Sequence, residues 1–186
     1  MMDKERAVPV LYLVVPCYNE EEVIEKSAQV LSDKIRRLME AGQIAHGSKV
    51  MFVNDGSKDR TLELLHRIAA QDTIFSVVSL AGNYGHQSAI LAGMMTARKY
   101  ADAVVTIDAD LQQDIEALDK FLNSYMAGSE VVYGVRNDRH SDGVFKKGSA
   151  TLYYNLMHLL GSKVITNHAD YRLMSKKALE SLAEYK

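Results

Sequence analysis

The sequence predicts an α/β fold in which helices flank a mainly parallel β-sheet. Short continuous apolar runs, typical of strands buried on both faces, alternate along the chain with segments of helical periodicity. The helical segments reach ten or more residues, the length that a crossover between parallel strands requires. No linker, internal repeat or low-complexity stretch interrupts this order in the 186 residues, so we expect a single domain.

The first unit begins with a buried strand at residues 10–15, which Pro16 ends. Asn19, followed by three glutamates, is the expected N-cap of the next helix. Apolar residues then recur at helical spacing, and Gly42 is typical of a helix C-terminus. This strand, turn and helix predict the first βα unit of the sheet.

The same alternation continues to the end of the chain. Strands are predicted at residues 50–53, 76–80, 103–107 and 131–135, with a short extended piece at 171–174. Helices are predicted after a cap at Ser57 or Asp59, and at residues 87–100, 115–126, 145–160 and 176–186. In such sheets ligands bind outside the carboxyl ends of the strands, so the residues directly after each strand are the candidates for a site.

Composition excludes several classes of protein. The formal net charge is −2, which argues against a nucleic-acid-binding face. One cysteine, Cys17, can form neither an internal disulfide nor a zinc cluster; we interpret it as a small buried residue at a strand end and expect a reducing compartment. The charged N-terminus does not resemble a signal peptide, and no apolar stretch is long enough to span a bilayer, so we expect this chain to be soluble and cytoplasmic.

Acidic side chains follow three of the predicted strands at the point where each strand ends. They are Glu20 after the first, Asp55 after the second, and Asp108 and Asp110 after the fourth. The carboxyl ends of parallel strands share one edge, so these acids are expected to lie close together. Such a cluster is costly unless a cation or hydrogen-bond donors share it.

The spacing of Asp108 and Asp110 favours a metal site. Alternate residues of an extended segment point the same way, and two carboxylates suit Mg²⁺ or Mn²⁺, which also bind the oxygens of a diphosphate. The alternative for an Asp-x-Asp is a solvated acidic loop. The position directly after a buried strand strengthens the metal interpretation, and the spacing alone leaves both open. Neither a P-loop nor a dinucleotide-binding glycine fingerprint is present in the sequence.

Six segments together resemble a known family. They are VVPCYNEE at residues 14–21, VNDGSKDRT at 53–61, NYGHQ at 83–87, DADLQ at 108–112, YGVR at 133–136 and DYRLM at 170–174. In this order they resemble the family 2 glycosyltransferases of the GT-A fold, which has a Rossmann-like, mainly parallel sheet flanked by helices. The resemblance is closest to the polyprenyl-phosphate group, which includes dolichol-phosphate mannose synthase and bactoprenol glucosyltransferases.

The resemblance implies a role for each group of matching residues. The nucleotide-binding residues would be Pro16, Tyr18, Glu20, Asp55, Asp108 and Ala109. The metal, Mg²⁺ or Mn²⁺, would be held by Asp108, Asp110 and Gln112. The catalytic residues would be Arg136, Arg172 and Asp170. The two arginines, together with Arg139, would face phosphates. Asp170 lies at the position proposed as the base in relatives.

The implied function is an inverting, metal-dependent hexosyl transfer from a nucleotide-diphosphate sugar to a polyprenyl-phosphate lipid. A UDP-sugar is favoured and GDP-mannose is possible. The alternatives are transfer to a sugar hydroxyl of a cell-surface polysaccharide, and a non-catalytic nucleotide-binding module. Relatives usually continue into C-terminal transmembrane helices, which this chain does not contain. A full-length protein with such helices would lie at the cytoplasmic face of the membrane.

Some of these residues also have simpler interpretations. Glu20 would suit the first turn of a helix, Asp55 a tight turn, and Arg136 an ion pair with a surface acid. His86 is interpreted as a solvated or hydrogen-bonded side chain without metal-ligand spacing to other histidines. The chain also departs from the family at Asn54, where a second aspartate is common, at residues 113–115, which usually carry a proline, and at 168–169, where a glycine is usual.

Overall fold

The structure is a computed structural model that describes residues 6–135 and 168–184. The strands in this part are β1 (Leu11–Cys17), β2 (Lys49–Asn54), β3 (Phe75–Ser79), β4 (Ala103–Thr106), β5 (Val131–Val135) and β6 (His168–Ser175). The helices are α1 (Ile24–Glu40), α2 (Thr61–Gln71), α3 (His86–Ala97), α4 (Ala117–Met126) and α5 (Lys176–Glu184). Each predicted strand is present, and the extended piece at 171–174 is part of the longer β6.

The strands form one sheet in the order β3-β2-β1-β4-β6-β5. The four strands from β3 to β4 are parallel, whereas β6 runs antiparallel to β4, with Thr106 opposite Arg172. Every residue of β1 is buried, as expected for a central strand covered by helices on both faces. The predicted α/β fold with a mainly parallel sheet is therefore confirmed.

Pro16 does not end β1, which continues through it to Cys17. Alternate residues of a parallel strand direct their backbone groups to the same neighbour, so Pro16 faces the β4 side, as Val14 does. The last residue pair between β1 and β4 is Val14 with Thr106. The next hydrogen bond, from the Ile107 N–H, goes to the Val14 carbonyl and does not involve Pro16. The missing N–H of proline therefore costs no ladder hydrogen bond at this position.

The prediction that Asn19 caps the first helix was wrong, because α1 begins only at Ile24. Asn19 instead adopts a positive φ of 56°, and its Oδ1 accepts a hydrogen bond from the Lys58 N–H at 2.9 Å. This contact ties the turn after β1 to the turn after β2. At the other end of α1, Gly42 has a φ of 68° and follows the last turn, as predicted.

Helix α3 packs closely on the sheet because Gly93 has no side chain. A Cβ on Gly93 would lie 2.4 Å from Cγ1 of Val14 and 2.7 Å from Cγ2 of Val53. The apolar cluster at this contact joins β1, β2 and α3 and includes Met51 and Ile90. This close approach fixes the N-terminus of α3, with His86, beside the carboxyl edge of the sheet.

The described residues fall into two compact units. Residues 6–132 and 170–184 belong to the first, and residues 133–135 and 168–169 belong to the second. The predicted helix at 145–160 and the predicted phosphate-binding Arg136 and Arg139 lie outside the described residues. Within 6–135 and 168–184, no helix combines the length and the apolar character that crossing a bilayer needs.

Candidate active site

A cleft opens at the carboxyl edge of the parallel strands, where the sequence predicts the site. Its walls include seven residues predicted for nucleotide or metal binding: Pro16, Tyr18, Glu20, Asp55, Asp108, Ala109 and Asp110. The rest of the described lining comes from Cys17 of β1, from Asn83 and Gly85 of the loop before α3, and from His86 and Ala89 of α3. The structure thus brings together the ends of β1, β2 and β4, which are far apart in the sequence.

The turn after β4 carries the two aspartates of the Asp-x-Asp motif. The Leu111 N–H donates to the Asp108 carbonyl at 3.2 Å, and Leu111 itself has a positive φ of 51°, which is costly for a residue with a branched side chain. From α1, the buried Ser27 Oγ donates to the Ala109 carbonyl at 2.5 Å. The turn is therefore held by its own backbone and by the neighbouring helix.

Asp108 is partly buried, and each of its carboxylate oxygens faces a different group. Oδ1 lies 3.4 Å from Nε2 of His86, which can form an ion pair with it when the imidazole is protonated. Oδ2 accepts a hydrogen bond from the side-chain amide of Gln113. Asp110 is exposed, and its Oδ1 accepts from the Gln112 N–H at 3.2 Å.

Asp55 lines the cleft but is engaged mainly with the protein backbone. It is 2% exposed, and its two oxygens accept the N–H groups of Tyr84 at 2.7 Å and Gly85 at 2.9 Å. A carboxylate that accepts two backbone N–H groups holds the loop firmly. Asp55 therefore shapes the wall in front of α3, and the lone pairs left on its oxygens are the part that a ligand can reach.

Asn54, where relatives have an aspartate, is buried behind the cleft. Its side-chain amide donates to Ser79 Oγ at 3.2 Å, and its Oδ1 accepts the Ser57 N–H at 3.3 Å. These contacts join the ends of β2 and β3 to the turn that carries Asp55. The amide at this position is thus satisfied within the protein, as a buried polar group should be.

The cleft is electrostatically negative. Burial raises the pKa of Glu20 above its usual range, and the charges of Asp110, Asp59 and Asp108 raise it further. Neither lysine nor arginine belongs to the described lining, in which His86 is the one side chain able to become a cation. A negative cleft of this kind favours a bound cation.

Tyr18 and Cys17 show how differently two adjacent residues are placed at the end of β1. Tyr18 is 39% exposed at the mouth of the cleft, so its ring is available to a planar ligand. Cys17 is buried, its thiol lies 3.4 Å from the Val15 carbonyl, and burial raises its pKa. The interpretation of Cys17 as a buried strand-end residue is confirmed, because it is the last residue of β1 and is 1% exposed.

Two other predicted site residues, Gln112 and Arg172, are placed outside the described lining of the cleft. Gln112 lies exposed on the turn after β4. Arg172 lies in β6 on the same side of the strand as Met174, which packs against the apolar cluster of α3. Its buried Nε has no hydrogen-bond partner among residues 6–135 and 168–184. The backbone of Asp170 belongs to β6. Because β6 runs antiparallel to β4, Asp170 lies at the end of β6 that is next to the carboxyl end of β4, where Asp108 follows.

The donor set fits a hard divalent cation that completes its coordination with ligand oxygens. Among the described residues, no three or more His, Cys, Asp or Glu side chains are already arranged around a metal position. Mg²⁺ in proteins commonly takes only one or two carboxylates and fills its other positions with water and substrate phosphates. Asp108 and Asp110, with oxygen ligands at one edge of a negative cleft, meet that requirement.

Sequence reasoning missed two residues that act at this site. The resemblance placed no role on Gln113, which contacts Asp108, or on Ser27, which binds the turn from α1. The position of Ser27 on the buried face of an amphipathic helix was the one available signal, because a buried hydroxyl needs a partner. His86, interpreted as hydrogen-bonded or solvated, lies in the cleft beside Asp108.

The fold and this cleft define an α/β protein with a candidate ligand site at the carboxyl edge of a parallel sheet. Residues 12–183 match the family described as Glycosyl transferase family 2, and the chain belongs to that family. It is 46% identical over 181 residues to the uncharacterized glycosyltransferase YkoT of Bacillus subtilis, covering 97% of this chain and 54% of the relative. It is 34% identical to the bactoprenol glucosyl transferase of Shigella phage SfV, covering 91% of this chain and 53% of that protein.

The chain therefore spans about half the length of the curated relatives that it matches. Solved structures show the same fold. The mannosyltransferase PcManGT from Pyrobaculum calidifontis, in complex with GDP-Man and Mn²⁺, aligns with a TM-score of 0.56 at 20% identity, over 96% of this chain and 48% of that one. Glucosyl-3-phosphoglycerate synthase from Mycobacterium tuberculosis, in complex with UDP, aligns with a TM-score of 0.57 at 20% identity, over 91% and 57%. The fold is GT-A.

Proposed function

We propose that this chain is an inverting glycosyltransferase that moves a hexose from a nucleotide-diphosphate sugar to a polyprenyl-phosphate lipid. The observation that carries the proposal is the cluster of Glu20, Asp108 and Asp110 in a cleft whose described lining has no lysine or arginine. An anionic diphosphate can enter such a cleft only together with a cation. The relatives named bactoprenol glucosyl transferase support the lipid acceptor and the transfer of a glucosyl group. We propose a UDP-sugar as the donor in preference to GDP-mannose.

The nucleoside would occupy the part of the cleft lined by the end of β1. Tyr18 offers an exposed ring for the base, and Pro16 and Ala109 offer apolar contact beside it. Glu20 and Asp55 would accept hydrogen bonds from the base and the ribose. Asp55 would do so with the lone pairs that its contacts to Tyr84 and Gly85 leave available.

The diphosphate would lie over the turn after β4. Asp108 and Asp110 would bind Mg²⁺ or Mn²⁺, and Gln112 on the same turn would complete the protein's share of the ligands. The bound metal would neutralise the diphosphate and stabilise it as a leaving group. Arg172 and Arg136 are proposed to face phosphates, and the buried Nε of Arg172 without a partner supports that role for Arg172.

The reaction follows from the charge of the acceptor. A phosphate monoester has its second pKa near 6, so its oxygen is already an anion at neutral pH. That oxygen would attack the anomeric carbon from the face opposite the diphosphate, and the bond from that carbon to the diphosphate oxygen would break. No proton moves, and the configuration inverts. For this acceptor, Asp170 would position groups rather than remove a proton.

A transfer assay tests the proposed function. Labelled UDP-glucose, UDP-N-acetylglucosamine and GDP-mannose would each be incubated with the chain, Mn²⁺ and a short-chain polyprenyl phosphate in detergent. The expected result is a glycosylated lipid from a UDP-sugar, and none when a polyprenol without the phosphate replaces the acceptor. Transfer to an oligosaccharide instead would support the hydroxyl alternative. Donor binding without transfer or hydrolysis would mean a non-catalytic module.

Replacing Asp170 with asparagine separates the two acceptor classes. With a lipid phosphate as acceptor, turnover by Asp170→Asn should stay within about tenfold of the unaltered protein, because no general base is required. With a hydroxyl acceptor, loss of the base would cost about 100- to 10,000-fold. The measurement is kcat at saturating donor. A loss in the larger range, with donor affinity unchanged, would contradict the lipid-phosphate mechanism.

The cellular location is also a proposal. The polyprenyl-phosphate acceptor is a lipid, so the cleft must work next to a membrane surface. We place the protein at the cytoplasmic face of the membrane, where nucleotide sugars are available to it. The bactoprenol glucosyl transferase relatives, about twice as long as this chain, support this placement.

A further inference from the structure

We infer that Gln113 is a positioning residue that fixes Asp108 and leaves one of its carboxylate oxygens directed at the cleft. This inference rests on the proposed function, because it concerns the metal and nucleotide role given to Asp108. Gln113 does not line the cleft, so it acts through Asp108.

One amide group holds Asp108 at two points. The Asp108 N–H donates to Oε1 of Gln113 at 3.3 Å, and Nε2 of Gln113 donates to Oδ2 of Asp108. The first contact fixes the backbone at the end of β4, and the second fixes the rotation of the carboxylate. Gln113 is only 8% exposed, so water does not compete strongly for either contact.

The amide can serve both contacts in one orientation only. If the amide were reversed, its oxygen would face the Asp108 carboxylate and its NH₂ group would face the Asp108 N–H, and both contacts would be repulsive. An aspartate or glutamate could accept from the N–H but could not donate to the carboxylate. The pattern of donors and acceptors therefore requires an amide side chain of this length at position 113.

As a result, the two carboxylate oxygens of Asp108 have different partners. Oδ2 is taken by Gln113, while Oδ1 lies on the side of the cleft, 3.4 Å from Nε2 of His86. A cation in the cleft would therefore bind Asp108 chiefly through Oδ1, the oxygen that no amide occupies. Partners that orient a metal ligand in this way commonly matter nearly as much as the ligand itself.

The first test replaces Gln113 with methionine, which keeps the length of the side chain and removes both hydrogen bonds. Mn²⁺ affinity, measured by the electron paramagnetic resonance signal of free Mn²⁺, should fall by about 10- to 100-fold. The matched control is Gln29→Met. Nε2 of Gln29 donates to Oδ1 of Asp33 at 2.8 Å on an exposed face of α1, so this variant removes a Gln–Asp contact outside the cleft. Mn²⁺ affinity of the control should equal that of the unaltered protein.

The second test needs no metal and works even if Gln113→Met fails to fold. Gln113→Glu places two carboxylates against each other and should lower the melting temperature at pH 8. Adding Asp108→Asn exchanges donor and acceptor across the same contact, so the double variant should recover most of the lost melting temperature. It should not recover Mn²⁺ binding, because the carboxylate of Asp108 is gone.

The outcomes separate this inference from the proposed function. If the unaltered protein binds Mn²⁺ and Gln113→Met binds it equally well, the role of Gln113 is overturned and the proposed function stands. If the double variant melts no higher than Gln113→Glu, the contact itself is refuted. If the unaltered protein binds no Mn²⁺ with or without UDP, the proposed metal site is refuted, and the role given to Gln113 with it.

Discussion

Replacing Asp110 with alanine is expected to lower kcat/KM for sugar transfer by about 100- to 1,000-fold. Asp110 is the exposed carboxylate on the turn after β4, so the variant removes a proposed metal ligand without opening a cavity in the core. EDTA added to the unaltered protein should cause a similar loss, and Mn²⁺ in excess should reverse it. The assay is the rate of labelled sugar transfer at subsaturating donor.

The matched control for Asp110→Ala is Asp33→Ala. It removes an exposed carboxylate of α1, which accepts a hydrogen bond from Gln29. Its activity should equal that of the unaltered protein. Unchanged activity in Asp110→Ala, or full activity in EDTA, would refute the proposed metal role.

Asp110→Ala, although it lowers activity, should raise the stability of the metal-free protein at neutral pH. Burial, and next the charge of Asp110, raise the pKa of Glu20 in the folded state above its value in the unfolded chain. The unfolded chain therefore loses the Glu20 proton at a lower pH, and folding stability falls as pH rises from the ordinary glutamate range through the raised pKa. Without Asp110 this fall should be smaller. Urea unfolding at pH 4 and pH 7 in EDTA measures the difference.

Replacing Gly56 with alanine should destabilise the protein by about 2–5 kcal/mol. Gly56 has a φ of 67°, and a Cβ there would lie 2.5 Å from the carbonyl carbon of Gly82 and 2.6 Å from the nitrogen of Asn83. Backbone atoms cannot rotate away as a side chain can, so the loop that Asp55 holds must shift. Donor affinity should fall together with the free energy of unfolding.

A matched control isolates the steric part of this effect. Gly42, at the end of α1, has nearly the same φ of 68°, but a Cβ there would meet no atom within 4 Å. Gly42→Ala should therefore cost only the strain of the left-handed backbone, about 1–2 kcal/mol. Equal losses in the two variants, measured by urea unfolding, would mean that the contact between Gly56 and Gly82 is unimportant.

The parts of the fold that depend on local sequence were predictable. Continuous apolar runs marked the strands, and the acids at the ends of β1, β2 and β4 were placed together because parallel strands share an edge. The extended piece around Tyr171 was recognised as such, but its antiparallel pairing with β4 was not. Pairing between distant segments depends on packing that a local pattern does not contain.

The side-chain contacts of the site were harder to predict than its position. Asn19 looked like a helix cap because of the glutamates that follow it, yet its side-chain oxygen accepts the Lys58 N–H in the turn after β2. Asp55 was expected to face the nucleotide, and its oxygens mostly hold the loop at Tyr84 and Gly85. In both cases a polar side chain satisfied a nearby backbone group first, which composition and spacing do not reveal.

The position of β6 in the sheet has a consequence for how the chain folds during synthesis. β6 lies between β4 and β5 in the sheet, yet it follows both of them in the sequence. Until β6 emerges, the side of β4 that it will cover has no strand to pair with, and the backbone N–H and C=O groups on that side are open to other chains. Contacts so distant in sequence also form slowly. The nascent protein therefore passes through a stage in which its unfinished sheet is most in need of a chaperone.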